Sequence, residues 1–194
     1  METENYIQRL ETYQPFSYGM KAYLNVVLTE HSFNKNQRLS LEQLPFGHYP
    51  LLETGTVRLF APDSENVEEI TLGFWFSGRF LHQLHNLNPK AAKDLQIEFL
   101  QDTLILSIPE KHALNLYRLF REANRLALAY FAAQHTDLLD QLYIRNHLNA
   151  AERYHRVNQL EPRIQRFAQV KDQASFLGID EKTLSRLRSA KGKK

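Results

Sequence analysis

Apolar residues recur at helical spacing at the start of the chain: Ile7, Leu10 and Tyr13, then Met20, Tyr23, Leu24 and Val27, with Pro15 interrupting the series. A helix presents one face every three or four residues, and Pro cannot continue it. The first 36 residues therefore read mainly as two helices joined by a short turn. From about Gln37 the period changes. Leu39 and Leu41 alternate with polar residues, apolar runs at 51–52 and 57–60 flank the turn Glu53-Thr54-Gly55, and residues 69–76 form another run, ended by Ser77-Gly78. Residues 95–108 supply one or two more strands, with Gln101-Asp102 as the turn. Short strands about ten residues apart, with no helices between them, predict an antiparallel barrel, jelly roll or beta roll.

The 40 residues after Pro109 contain neither Gly nor Pro. Its apolar positions keep a helical period, which predicts one long helix from about Glu110 to at least Asp140. Ala123 and Ala127 leave room for a second helix to approach closely, so Phe120, Ala123, Ala127 and Tyr130 are candidate contacts of a helix pair across a dimer; packing on the chain's own roll is the alternative. The expected organisation is α+β: N-terminal helices and antiparallel roll over 1–109, the long helix over 110–148, and a small all-α module over 149–194.

Charge sharpens that division. Residues 1–150 hold 13 Lys and Arg against 17 Asp and Glu, whereas residues 151–194 hold 11 against 5. The near-neutral total of +2 hides a basic end of the kind that meets a polyanion. The chain has no Cys, which excludes disulfides, cysteine nucleophiles and cysteine-held clusters. No signal-peptide pattern opens it and no run of about 18 apolar residues occurs, so a cytoplasmic protein without a membrane partner is expected. His82 and His85 lack neighbouring ligands for a metal site. Nothing provides a nucleophile elbow or a Gly-rich phosphate loop, and Asp63, Glu65, Glu68 and Glu69 read as a solvated turn, so no catalytic residue is expected.

The most specific local pattern lies at 170–188. Two short helices can cross sharply only if a small residue sits at their contact and a Gly closes the turn. Ala174 and Gly178 suit those roles, Leu177, Ile179, Leu184 and Leu187 supply the apolar faces, and Asp180 stands at the N-cap of the second helix with Glu181 behind it. This is the spacing of a helix-turn-helix. Its second helix would enter the major groove, with Arg186 reading base edges and Lys182, Thr183 and Ser185 supporting base or phosphate contacts; Lys171, Arg188, Lys191, Lys193 and Lys194 would act on phosphates.

The order of elements, with Gly55-Thr56-Val57-Arg58-Leu59-Phe60, the run from Glu69 to Phe74 leading to Gly78-Arg79-Phe80, Ala151-Glu152-Arg153-Tyr154, Pro162, and Ala174-Ser175-Phe176-Leu177-Gly178-Ile179 followed by Thr183-Leu184-Ser185-Arg186, resembles the Crp/Fnr family of bacterial transcription regulators, in particular a compact subgroup common in Bacteroidetes-type genomes. The resemblance spans nearly the whole chain. It implies a cyclic-nucleotide-binding-like roll, a homodimer built on the long helix, a terminal DNA-binding domain, and DNA, a second copy and RNA polymerase as partners.

Departures from the family pattern alter what is expected. Where cAMP-binding members carry Gly-Glu, this chain has His82-Gln83, and near the phosphate-binding pair it offers only Lys93. Lys lacks the bidentate fork of Arg, so no cAMP or other named cofactor is expected; Phe74, Trp75, Gly78, Phe80, His82, Gln83 and Lys93 remain candidates for another effector. In the recognition segment Lys182 replaces a Glu frequent in the family. Gln173 stands at a usually aliphatic position, where a polar side chain is expected to loosen the hairpin. Eight residues after Arg186 leave no room for a wing. The resulting expectation is a sequence-specific DNA-binding regulator. The alternative is a sensing or protein-interaction module of the same fold that has lost productive DNA binding.

Overall fold

The computed structural model describes residues 2–62, 69–82, 84 and 94–191. Gln83, Lys93, Lys193, Lys194 and the acidic turn residues Asp63, Glu65 and Glu68 lie outside this set. Helices α1 (Glu2–Glu11) and α2 (Tyr18–Val27) come first, the second capped by Ser17, whose hydroxyl accepts from the Met20 N–H. Seven strands follow among the described residues: β1 (Thr29–Phe33), β2 (Arg38–Ser40), β3 (His48–Thr54), β4 (Thr56–Pro62), β5 (Glu69–Phe76), β6 (Gln96–Phe99) and β7 (Thr103–Ile108). They form two antiparallel sheets, ordered β1-β7-β3 and β2-β6-β4-β5. The turns at Gly55 and at 101–102 therefore carry the chain from one sheet to the other. Gly55 needs its freedom there, since φ is 99° and a Cβ would lie 2.2 Å from the Thr103 hydroxyl.

Between the sheets the roll is packed with side chains, among them Phe33, Leu52, Val57, Leu59, Trp75, Ile97 and Ile105, with Phe33 stacked on Phe99 at 4.1 Å. A second apolar core joins β3 and β7 to α1, α2 and the long helix through Tyr6, Leu10, Met20, Leu24, Tyr49, Leu126 and Tyr130. Tyr6 donates to the Tyr49 carbonyl and Tyr130 to that of Leu81, so both buried phenols are satisfied.

The chain departs from its local pattern in three places. Residues 29–33, expected as helix, form β1. Only Phe33 of this stretch is buried, so its own sequence signals no strand; the ladder to β7 creates it. The long helix is divided into α3 (Glu110–Leu119) and α4 (Arg121–His147), with Phe120 extended between them at φ −126° and ψ 116°. No Gly or Pro announces the break. The Phe120 ring packs on Tyr23 and against Gly19 of α2, and that tertiary contact sets its backbone. Finally, Ala123 and Tyr130, expected at a helix pair, are fully buried in the chain's own core, with Phe120 packed against it and Ala127 half-buried. The long helix carries apolar residues on two faces, and these belong to the inner one. The outer face bears Leu128, with Phe131, Leu138 and Leu142 at its margin, where they also border an open cavity beside the roll; each is at least 47% exposed.

Helices α5 (Ala150–Leu160), α6 (Arg163–Phe167), α7 (Val170–Leu177) and α8 (Glu181–Lys191) complete the chain. Asn149 begins this module with a reciprocal cap: its side chain accepts from Ala151 and Glu152, and Glu152 accepts from the Asn149 N–H.

The terminal module is docked on β5, which lies at the edge of its sheet. An edge strand leaves backbone groups without ladder partners. Ser175 of α7 satisfies two of them, its hydroxyl accepting from the Thr71 N–H at 2.9 Å and donating to the Glu69 carbonyl at 3.0 Å. Phe176 meets Phe74 edge-on, and Arg163 lies over the Phe76 ring while donating to the Ser77 carbonyl. Beneath these contacts Arg58, which has no exposed surface, pairs with Glu69 at 2.7 Å, Glu98 at 2.9 Å and Asp172 of α7 at 3.1 Å. Burial pushes the Asp172 carboxyl up, against the pull of Arg58. Burial would also raise Glu69, but hydrogen bonds from Arg58 and Arg38 outweigh it and hold that carboxyl below its usual range.

Candidate functional site

The terminal hairpin is built from local backbone requirements. Gly178 ends α7 in the left-handed conformation (φ 64°, ψ 42°), its N–H reaching the Ala174 and Ser175 carbonyls, and the Ile179 N–H follows to Ala174 at 3.0 Å. Asp180 then caps α8, accepting from the Thr183 N–H and hydroxyl, both at 2.8 Å. Those two bonds hold the Asp180 carboxyl below its ordinary range. Tyr154, Ala174, Leu177 and Leu184 form the core of the hairpin. Replacing Gly178 by Ala should cost about 1 kcal/mol, because only left-handed strain opposes it and the space around it is open; a chemical-denaturation midpoint measures this.

Gln173 does the opposite of loosening the hairpin. It is 2% exposed, its amide donates to the Ala168 carbonyl at 2.7 Å, and its Oε1 accepts from Arg188 at 2.5 Å. A polar residue thus braces α7 to α8 where an aliphatic one would only pack. Arg188 is thereby engaged within the hairpin. Lys182, Ser185 and Arg186 are exposed on α8 at spacings that share one face, while Leu184 points inward. Thr183 is half-buried and its hydroxyl is engaged twice, donating to Asp180 and accepting from Arg186 at 3.0 Å, so it orients the guanidinium. Glu181 and Lys171 are exposed at the first turns of their helices. Lys191 is the last described residue, and its side-chain placement is outside the description.

No family model and no curated protein matches the chain. Solved structures do match it. FixK2 from Bradyrhizobium japonicum aligns at TM-score 0.63 and 19% identity over 85% of this chain and 84% of its own. A protein from Eubacterium rectale, provisionally described as a transcriptional regulator of the crp/fnr family, aligns at TM-score 0.63 and 18% identity over 91% of this chain and 86% of its own. This chain has the Crp/Fnr fold. A CooA variant from Carboxydothermus hydrogenoformans, at TM-score 0.61 and 16% identity over 96% of this chain and 84% of its own, shares it.

In this Crp/Fnr-type fold a cavity of about 580 Å³ lies between the β4–β5 side of the roll, α4 and the terminal module. Of the expected effector residues, Trp75 and His82 line it, edge to face at 5.1 Å. Burial lowers the His82 pKa, so its ring is neutral at pH 7. Phe74 and Phe80 line a neighbouring cleft of about 300 Å³ on the other side of Trp75. Gly78 forms a turn instead, its carbonyl accepting from Arg9. Gln83 and Lys93 fall outside the described residues. The Crp/Fnr-type fold also gives a place to Asp172, which the sequence did not single out, and gives structural roles to two residues quoted above only within motifs: Ser175, which with Asp172 docks the hairpin, and Arg153, which donates to the Arg145 and Gly178 carbonyls. Their signal is tertiary. Among the described residues no group of three or more His, Asp or Glu is arranged to hold a metal ion, and no helix is long and apolar enough to cross a membrane.

Proposed function

We propose that the chain is a homodimeric, sequence-specific DNA-binding transcription regulator acting in the cytoplasm, with no catalytic activity. The observation that carries this is the capped α7–α8 hairpin, which presents Lys182, Ser185 and a pre-oriented Arg186 on one exposed face of a basic module. Each recognition helix enters the major groove of one half-site, and a two-fold dimer sets the half-sites about one helical turn apart. RNA polymerase is the partner through which bound dimers act on transcription.

The outer face of α4 supports the dimer. Leu128, Phe131, His135, Leu138 and Leu142 alternate at spacings of three and four, the seam of a two-helix coiled coil, and an exposed apolar stripe of this length calls for a cover. The double substitution Leu138→Arg, Leu142→Arg should convert dimer to monomer in sedimentation equilibrium. Dimers that survive this double change place the seam elsewhere.

The regulator works without cAMP. A protein from Silicibacter pomeroyi with this fold is provisionally described as cAMP-binding (TM-score 0.62, 17% identity over 98% of this chain and 88% of its own). Here His82-Gln83 replaces the Gly-Glu pair, and the cavity beside His82 is walled mainly by apolar side chains. The function is tested by selecting duplexes from a random pool and titrating a palindromic winner. A dissociation constant on the order of 10⁻⁸ M or tighter, weakening steeply with salt, is expected. Equal weak affinity for every duplex overturns the reading.

A further inference from the structure

His135 interrupts the apolar stripe of α4 at its middle. Leu128, His135 and Leu142 stand seven residues apart, which places all three on one line along the helix. His135 is exposed in the single chain, and so are Leu128, Leu139, Leu142 and Tyr143 around it. With Phe131 and Leu138, these apolar side chains expose on the order of 600 Å², near the area of about 800 Å² per partner of a standard interface, so a second copy of this helix is an occupant of the right size.

Two-fold symmetry then decides what His135 meets. In a parallel helix pair each residue on the line faces its own copy; in an antiparallel pair centred on the stripe, Leu128 faces Leu142 and the midpoint still faces itself. Either way one imidazole is set against another, between leucines. Two neutral rings satisfy each other, since the N–H of one donates to the bare nitrogen of the second. Two protonated rings have no acceptor between them and repel at contact. Nothing on the surrounding elements offsets that charge. The helix neighbours at three and four residues, Phe131, Ala132, Leu138 and Leu139, are apolar. The titratable or cationic groups that border the same open space are His82 of the roll, Arg145 of α4 and Arg153 of α5, with no carboxylate among the described residues there. Asp137 and Asp140 of α4 border the neighbouring cleft instead.

We propose that His135 pairs with its own copy across the dimer axis and makes the homodimer acid-labile. The proposal rests on the reading of the outer face of α4 as the dimer seam. An imidazole in water takes up a proton at about pH 6.5, so a chain that leaves the dimer binds a proton that the paired rings refuse. Dimer stability is therefore complete above that pH and is lost as pH falls below it. One refused proton per dimer weakens association about tenfold for each unit of pH below about 6.5, and two weaken it about 100-fold. Acidification alone thereby disperses the dimer, with no small molecule involved.

Sedimentation equilibrium of the full chain at about pH 7.5 and about pH 5.5, at one ionic strength, tests this, and the dimer dissociation constant is expected to rise at least about tenfold at the lower pH. His135→Leu completes the apolar line, and His135→Asn keeps a hydrogen-bonding side chain that takes no proton. The residue is exposed in the single chain, so neither change disturbs the core. Both variants should dimerise at the higher pH and show no such rise at the lower. A parent dimer whose constant is the same at the two pH values overturns the inference and leaves the dimer standing, whatever the variants do. An equal rise in parent and variants overturns it too, since the protons then bind elsewhere. A parent that stays monomeric at the higher pH overturns the dimer seam itself, and the inference with it.

Discussion

Replacing Arg58 by methionine should lower the unfolding free energy by about 3–5 kcal/mol, because it leaves carboxylates buried without their cation. The side chain is fully buried and contacts Glu69, Glu98 and Asp172, which lie on three different elements. Arg38 also contacts Glu69 and Glu98 but does not pair with Asp172, so it offsets part of the loss in the roll and none at the docking contact. At about 2–4 °C per kcal/mol for a chain of this size, the melting midpoint should fall by about 10 °C. Asp172→Asn added to the same variant should recover some of that stability, since it removes one of the orphaned charges. An Arg58→Met protein within about 1 kcal/mol of the parent in urea titrations would show that water reaches the cluster and that Arg58 holds neither sheet nor hairpin.

Arg186→Ala should weaken binding to the selected duplex by about 1–3 kcal/mol, roughly 5- to 150-fold, and relax the preference at one base pair of each half-site. Arg186 is exposed on the face shared with Lys182 and Ser185, and the Thr183 hydroxyl holds its guanidinium before DNA arrives, so little rotamer freedom remains to be lost on binding. Lys182→Ala should act differently. A phosphate contact carries no base information, so affinity should drop by a similar factor for all duplexes and the salt slope should shrink by about one. If Arg186→Ala weakens every duplex equally, the base-reading role belongs to another residue of α8.

The hairpin was the part most legible from the chain alone, because its geometry depends on neighbours close in sequence. A left-handed Gly178, the cap at Asp180, and Ala174 at the crossing are short-range requirements, each visible as a residue type at a spacing. The strand order was legible only as a class. Turns at Gly55 and 101–102 read correctly as turns, but a turn does not reveal whether its two strands pair or pass to different sheets. Gln173 shows the same limit: its polarity predicts a loosened contact, whereas the Ala168 carbonyl and Arg188 satisfy both ends of its amide.

By itself, the amino-acid sequence determined the α+β order of elements, the basic terminal helical hairpin and the exclusion of cysteine chemistry, all of which follow from local periodicity, capping and composition. Only the tertiary structure decided which face of α4 is left free, where the helix breaks, and that Arg58, Asp172 and Ser175 hold the hairpin on β5. Those outcomes rest on contacts between residues more than 100 positions apart, as Arg58 and Asp172 are, where burial turns an ordinary surface residue type into the centre of a charge cluster. Periodicity along a chain carries no record of such pairings, because it registers which residues avoid water and not which partners they meet when they do.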